Sequence, residues 1–200
     1  VDVLDMQEMK SGETVIWKAE LRGRKVVVRD STAIEFLAQR GYGIARGGVL
    51  ELELVEAAYL LDRGVITVED EGKQLSFIDL VKLGAKEDPD FWAKLGVYTD
   101  LRNRALVVMP GVTSYELLVD WKRRDSARRF LVRIVKEGVR IGFADLEEMH
   151  RRALESDREL VLAIVDKEGV ITYYTVEGVA HVAHVSWEED LKQAQPQQEG

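Results

Sequence analysis

Hydrophobic positions recur along this chain with two different periods, and the change falls near residue 88. Residues 15–29 (VIWKAELRGRKVVVR) read as two short strands around Arg22-Gly23, since β-branched and apolar residues flank a turn pair. Asp30 or Ser31 can cap a helix over 32–40, which Gly41 and Gly43 stop. The next helix is expected over 52–62, ending at Gly64, with Leu54, Ala57, Ala58 and Leu61, and Leu50 one turn earlier, along one flank. A short strand over 65–68 and a helix that starts at Ser76 and fades at Gly84 complete the first part. It reads as mostly helical with small strands.

Asp88-Pro89-Asp90 marks a boundary, with Pro89 in the first turn of a helix over 91–104. Beyond it, residues 105–109, 115–121 and 130–135 are strand candidates, with turns at Pro110-Gly111 and around Asp125. Residues 143–154 (FADLEEMHRRAL) form an amphipathic pattern that places Phe143, Leu146, Met149, Ala153 and Leu154 near one face. Residues 160–165 are apolar without alternation and read as a central strand, and 166–169 turn into a last strand over 170–176. The expected fold class is α/β: an α+β unit over 1–87, a mixed-sheet α/β domain over 91–186, and a polar, flexible tail over 192–200.

With 200 residues and 46% hydrophobic content, the chain can bury one good core or two small ones. It has no cysteine, which rules out disulfides, thiolate metal sites and Cys nucleophiles. Apolar stretches such as 160–165 are far short of a membrane span, so a cytoplasmic protein without membrane contact is expected. The formal charge is -8, yet residues 121–152 hold ten basic and five acidic residues, +5 in all, leaving -13 for the remainder. Such asymmetry fits an anionic partner on one face. It fits equally a solvated hairpin whose arginines meet local carboxylates.

Few residues offer chemistry by themselves. His181 and His184 lie three apart in an alternating pattern that turns them to opposite sides, a poor spacing for metal, and no metal or other cofactor is expected. His150 has no identifiable partner for proton transfer. Gly41, Gly43, Gly47 and Gly48 lack the spacing and following lysine of a phosphate loop. Tyr173-Tyr174 reads as a strand pair with one ring in the core, more than as a base-stacking platform.

Three segments together resemble the tRNA-splicing endonuclease family, which excises introns from precursor tRNA. Residues 50–64 (LELELVEAAYLLDRG) are similar to its N-terminal helix, 97–111 (VYTDLRNRALVVMPG) to the pattern "vYxDLRxRGyvVkxG" that opens its nuclease domain, and 159–176 (ELVLAIVDKEGVITYYTV) to the closing strands of that domain. The resemblance implies a nuclease-like C-terminal domain. It also implies metal-free cleavage by tyrosine, histidine and lysine, giving 2',3'-cyclic phosphate and 5'-hydroxyl ends. Following the family pattern without a gap places Trp121, Ala127 and Arg158 at those three positions, and no histidine occurs before residue 150. Indole and methyl groups exchange no proton near neutral pH, and a guanidinium fork differs from an ammonium.

The chain thus looks like the non-catalytic, structural subunit of a heterotetrameric archaeal splicing endonuclease. The partners so implied are a homologous catalytic subunit, in an α2β2 assembly, and precursor tRNA. The resemblance places Asp166 and Glu168 on an acidic docking turn, and Ile171, Tyr173, Val182 and Val185 in strands that pair between subunits. An ordinary hairpin explains that turn as well. Lys122, Arg123, Arg124, Arg128, Arg129 and Arg151 are the candidate RNA-binding residues. Two other classes stay open: a non-enzymatic RNA-binding module, and a self-contained ribonuclease using His150, Tyr173 or Tyr174.

Overall fold

The computed structural model describes residues 15–123 and 126–178. The chain is mixed α/β and builds two sheets. In the first, β1 (Trp17–Arg22) and β2 (Lys25–Val28) form the expected hairpin. Helix α1 (Ser31–Gln39) starts where Asp30 accepts the backbone N–H of Ala33 at 2.8 Å. Strands β3 (Ile44–Arg46) and β4 (Val49–Glu53), then α2 (Leu54–Asp62), β5 (Ile66–Asp70), β6 (Lys73–Leu75) and α3 (Phe77–Glu87) follow, and the strand order is β3-β4-β2-β1-β5-β6.

This first part is more β-rich than its sequence suggests. Leu50 and Leu52 belong to β4, paired with Val28 and Val26, so the helix expected from residue 52 begins two residues later. The run LELEL alternates with period two and only then turns helical, and Glu56 accepts the N–H of Glu53 at 2.9 Å where the change occurs. α2 is buried on nearly all sides, not along the single expected flank: Val55 to Leu60 are all buried, Glu56 included, while Leu54 and Leu61 are only half-buried. α3 does not fade at Gly84. A Cβ there would lie 2.5 Å from the Phe91 ring, so the glycine lets α3 and α4 approach closely without stopping the helix.

The second sheet follows α4 (Phe91–Asn103), whose N-cap is Asp90, so Pro89 lies just outside the helix. Strands β7 (Val107–Pro110), β8 (Glu116–Arg123), β9 (Ser126–Lys136), β10 (Glu159–Val165) and β11 (Ile171–Val176) assemble in the order β11-β10-β9-β8-β7. β10 runs parallel to β9 through the crossover helix α5 (Phe143–Glu155) and antiparallel to β11. It is an interior strand, while the middle position belongs to β9.

α4 and α5 cover opposite faces of this sheet. Leu117, Val119, Val132, Val161 and Ala163 join Leu95, Tyr98 and Leu101 of α4 in a core continuous with that of the first sheet. Leu118, Leu131, Leu160 and Leu162 face Leu146, Met149 and Ala153 of α5 in a smaller cluster. Phe143 and Leu154, expected on the buried face of α5, are both 61% exposed. They lie beyond the ends of the short apolar stripe that α5 presents.

Candidate functional site

The β8–β9 hairpin and the start of β10 carry the positions at issue. In the hairpin Trp121 stands opposite Arg128, and Lys122 opposite Ala127. Side chains alternate along a strand, so Trp121 falls on the α4 side with Leu117 and Val119, whereas Asp120 and Lys122 fall on the α5 side with Leu118. Ala127 shares the α5 side with Leu131, and Arg158, two residues before Leu160, lies there too. Of the three positions, the fold therefore brings Ala127 and Arg158 to one face and turns Trp121 to the other. Ala127 is exposed and Trp121 half-buried.

Arg158 is buried, at 7% exposure. Its Nη1 donates to Asp120 Oδ1 at 2.9 Å, to the Phe130 carbonyl at 3.2 Å and to the Val119 carbonyl at 3.3 Å. Sequence reasoning assigned Asp120 no role. The signal that could have found it is its two-residue spacing to Lys122, the neighbour of Ala127 across the hairpin.

The candidate RNA-binding arginines are engaged with carboxylates. Arg128 grips Glu159 with two N–H groups and holds that carboxyl below the usual range. Arg129 reaches Asp157 at 3.3 Å and Asp120 at 3.9 Å. Arg151 pairs with Glu148 and Glu155 along α5, and its hydrogen bond lowers the Glu148 carboxyl. Lys122 is exposed. The side chain of Arg123, and Arg124 altogether, lie outside the described residues.

At the other end of the sheet, Asp166 Oδ1 accepts the N–H groups of Glu168 at 3.0 Å and Val170 at 2.7 Å. This is a self-contained turn, and Glu168 projects from it exposed. Among the described residues β11 is an edge strand, with Tyr174 56% exposed. Ile171 packs against the main core. Tyr173 bonds within the chain, its hydroxyl donating to Asp100 Oδ2 at 2.7 Å, and burial followed by that bond pushes its ionisation upward. Val182, Val185, His181 and His184 lie outside the described residues. His150 is half-buried on α5. No cluster of three potential metal ligands forms among the described residues.

Residues 17–81 match the family model of the tRNA intron endonuclease N-terminal domain, and residues 91–173 that of the tRNA intron endonuclease catalytic C-terminal domain. This chain belongs to the tRNA intron endonuclease family. A tRNA-splicing endonuclease of Pyrococcus furiosus is 38% identical over 158 residues, covering 78% of this chain and 93% of the relative. One from Pyrococcus horikoshii is 36% identical over 151 residues, 76% of this chain and 89% of its own. One from Methanococcoides burtonii is 37% identical over 161 residues, 80% of this chain but 46% of that longer protein. Within the family's motif YTDLRNR, the side chains serve architecture: Tyr98 and Arg102 are buried, and Asp100 joins Arg104 to Tyr173. Among the described residues no helix is long and apolar enough to cross a membrane.

Proposed function

We propose that this chain is the structural, non-catalytic subunit of a tRNA-splicing endonuclease, paired with a homologous catalytic subunit in an α2β2 heterotetramer that excises introns from precursor tRNA. The observation that carries the reading is the content of two positions on one face of the sheet: Ala127 and a buried Arg158. Strand cleavage needs a base on the attacking 2'-hydroxyl, an acid for the departing 5'-oxygen and a cation facing the phosphate. Here Ala127 exchanges no proton, and the Arg158 guanidinium is turned into the sheet, where Asp120 holds it. Losing each proton-transfer group removes about 10²- to 10⁴-fold in rate.

A retained fold without the chemistry makes sense where its surfaces hold an active partner and the RNA. Among the described residues β11 supplies a sheet edge, and exposed edges of this kind invite a strand from another chain. The carboxylate partners of Arg128, Arg129 and Arg151 offset their charge, which disfavours a free-standing RNA-binding module.

Co-expression with a homologous catalytic subunit and mass measurement of the purified complex test this assignment. A 2:2 complex is expected, and V182K/V185K is expected to separate it by placing charges where apolar contact is needed. Failure of the two chains to associate at micromolar concentration would remove the heterotetramer.

A further inference from the structure

We infer that position 120, not 121, is the β8 member of the place where a cleavage set would converge, and that the Asp120–Arg158 pair fills this place as a structural clamp. Groups that act on one phosphodiester must meet within about 3 Å hydrogen-bond reach, hence on one face of the sheet. The faces are fixed by packing: Leu118, Leu131 and Leu160 all meet the α5 cluster, and one step of two residues from each leads to Asp120, Arg129 and Arg158. A further step along β9 gives Ala127. Trp121 follows Val119, which lies in the opposite core, by the same two-residue step.

The pair does more than fill space. A single nitrogen of Arg158 is shared among the Val119 carbonyl, the Asp120 carboxylate and the Phe130 carbonyl, so a side chain just before β10 ties together β8 and β9. The Arg158 side chain is 5% exposed and that of Asp120 21%. A guanidinium so enclosed offers little surface to an RNA phosphate, and removing Asp120 leaves its charge largely inside the sheet. Lysine at 158 keeps the charge but lacks the planar fork.

The naming of the place rests on the structural-subunit reading, whereas the clamp does not. Both are separated by a thermal-unfolding cycle on the full chain, comparing D120A, R158M and D120A/R158M with W121F and W121F/R158M. R158M is expected to lower Tm by roughly 10 °C, and the D120A/R158M chain to lose clearly less than the sum of its single changes. W121F and R158M should add. R158K is expected to lose several degrees, and if R158M fails to fold, R158K replaces it in the cycle. Additive behaviour of 120 with 158, or an R158K chain as stable as the native one, overturns the clamp. RNA cleavage by this chain alone would remove the structural-subunit reading and leave the cycle standing.

Discussion

The guanidinium of Arg102 on α4 lies 3.8 Å over the ring of Tyr42, in the segment that follows α1. From there it donates to the carbonyls of Arg40 at 2.9 Å, Gly41 at 2.8 Å and Val108 at 2.6 Å, and to the Tyr98 hydroxyl at 3.1 Å. One buried side chain thereby joins the end of α1 to β7 of the second sheet. Gly41 makes the approach possible: with φ at +70°, a Cβ there would stand 2.4 Å from Val107 Cγ1.

R102A should therefore destabilise the whole chain, by about 3 kcal/mol or more, because three carbonyls lose their donor in the interior. R102K should recover only part of this. Chemical denaturation followed by tryptophan fluorescence checks it, and a loss confined to one of two transitions would contradict the joining role.

Tyr42, Tyr98 and Tyr173 bear on the alkaline limit. Burial is the main cause in all three, and it pushes the Tyr42 hydroxyl up to about 12. A folded pKa above the unfolded one means the native state holds protons the unfolded chain releases, so stability falls as pH rises from about 10 through about 12. Y42F should flatten that decline in thermal unfolding across this range.

Asp100 acts at the acid end. Burial pushes its carboxyl up, but the hydrogen bonds from Arg104 and Tyr173 outweigh burial and hold it below the usual range. Its contribution is thus present above the unfolded carboxylate pKa and is lost as pH falls through the folded one. Y173F should cost about 1 to 2 kcal/mol at neutral pH and weaken the acid dependence, as read by urea titration at two pH values.

Ala105 has φ at +60°, at the position where the family pattern carries glycine. A side chain in this conformation is strained by about 1 kcal/mol. A105G should raise stability by a similar amount, measurable as a Tm increase of a few degrees.

Neutralising Lys122 and Arg129 on the α5 side should weaken binding of many RNAs alike and lower the salt slope by about 1 for each phosphate no longer neutralised. R158M should leave that slope unchanged, since the guanidinium it removes is enclosed. Filter binding of precursor tRNA by the complex at several salt concentrations distinguishes the two.

Much of this fold was legible in the sequence where periodicity was strong. The hairpin at Gly23, α4, α5 and the turn after β10 all stand where the pattern placed them. The short strands β3 and β6 were hidden, each with three residues and mostly exposed. LELEL was ambiguous because its leucines satisfy both periods for one turn. The site was legible as residue types but not as a face. Following the family pattern pointed to Trp121, while only strand alternation tied to packed neighbours reveals Asp120 beside Arg158. Likewise, the charge window showed ten basic residues but not that Glu159, Asp157 and Glu155 reach them from flanking positions.

The central claim is that this chain supports cleavage without performing it. Multiple-turnover cleavage of a bulge–helix–bulge precursor tRNA in EDTA, with this chain alone, its catalytic partner alone and both together, tests it most directly. The expected result is specific cutting at both splice sites only when both chains are present. Robust specific cleavage by this chain alone would contradict the account.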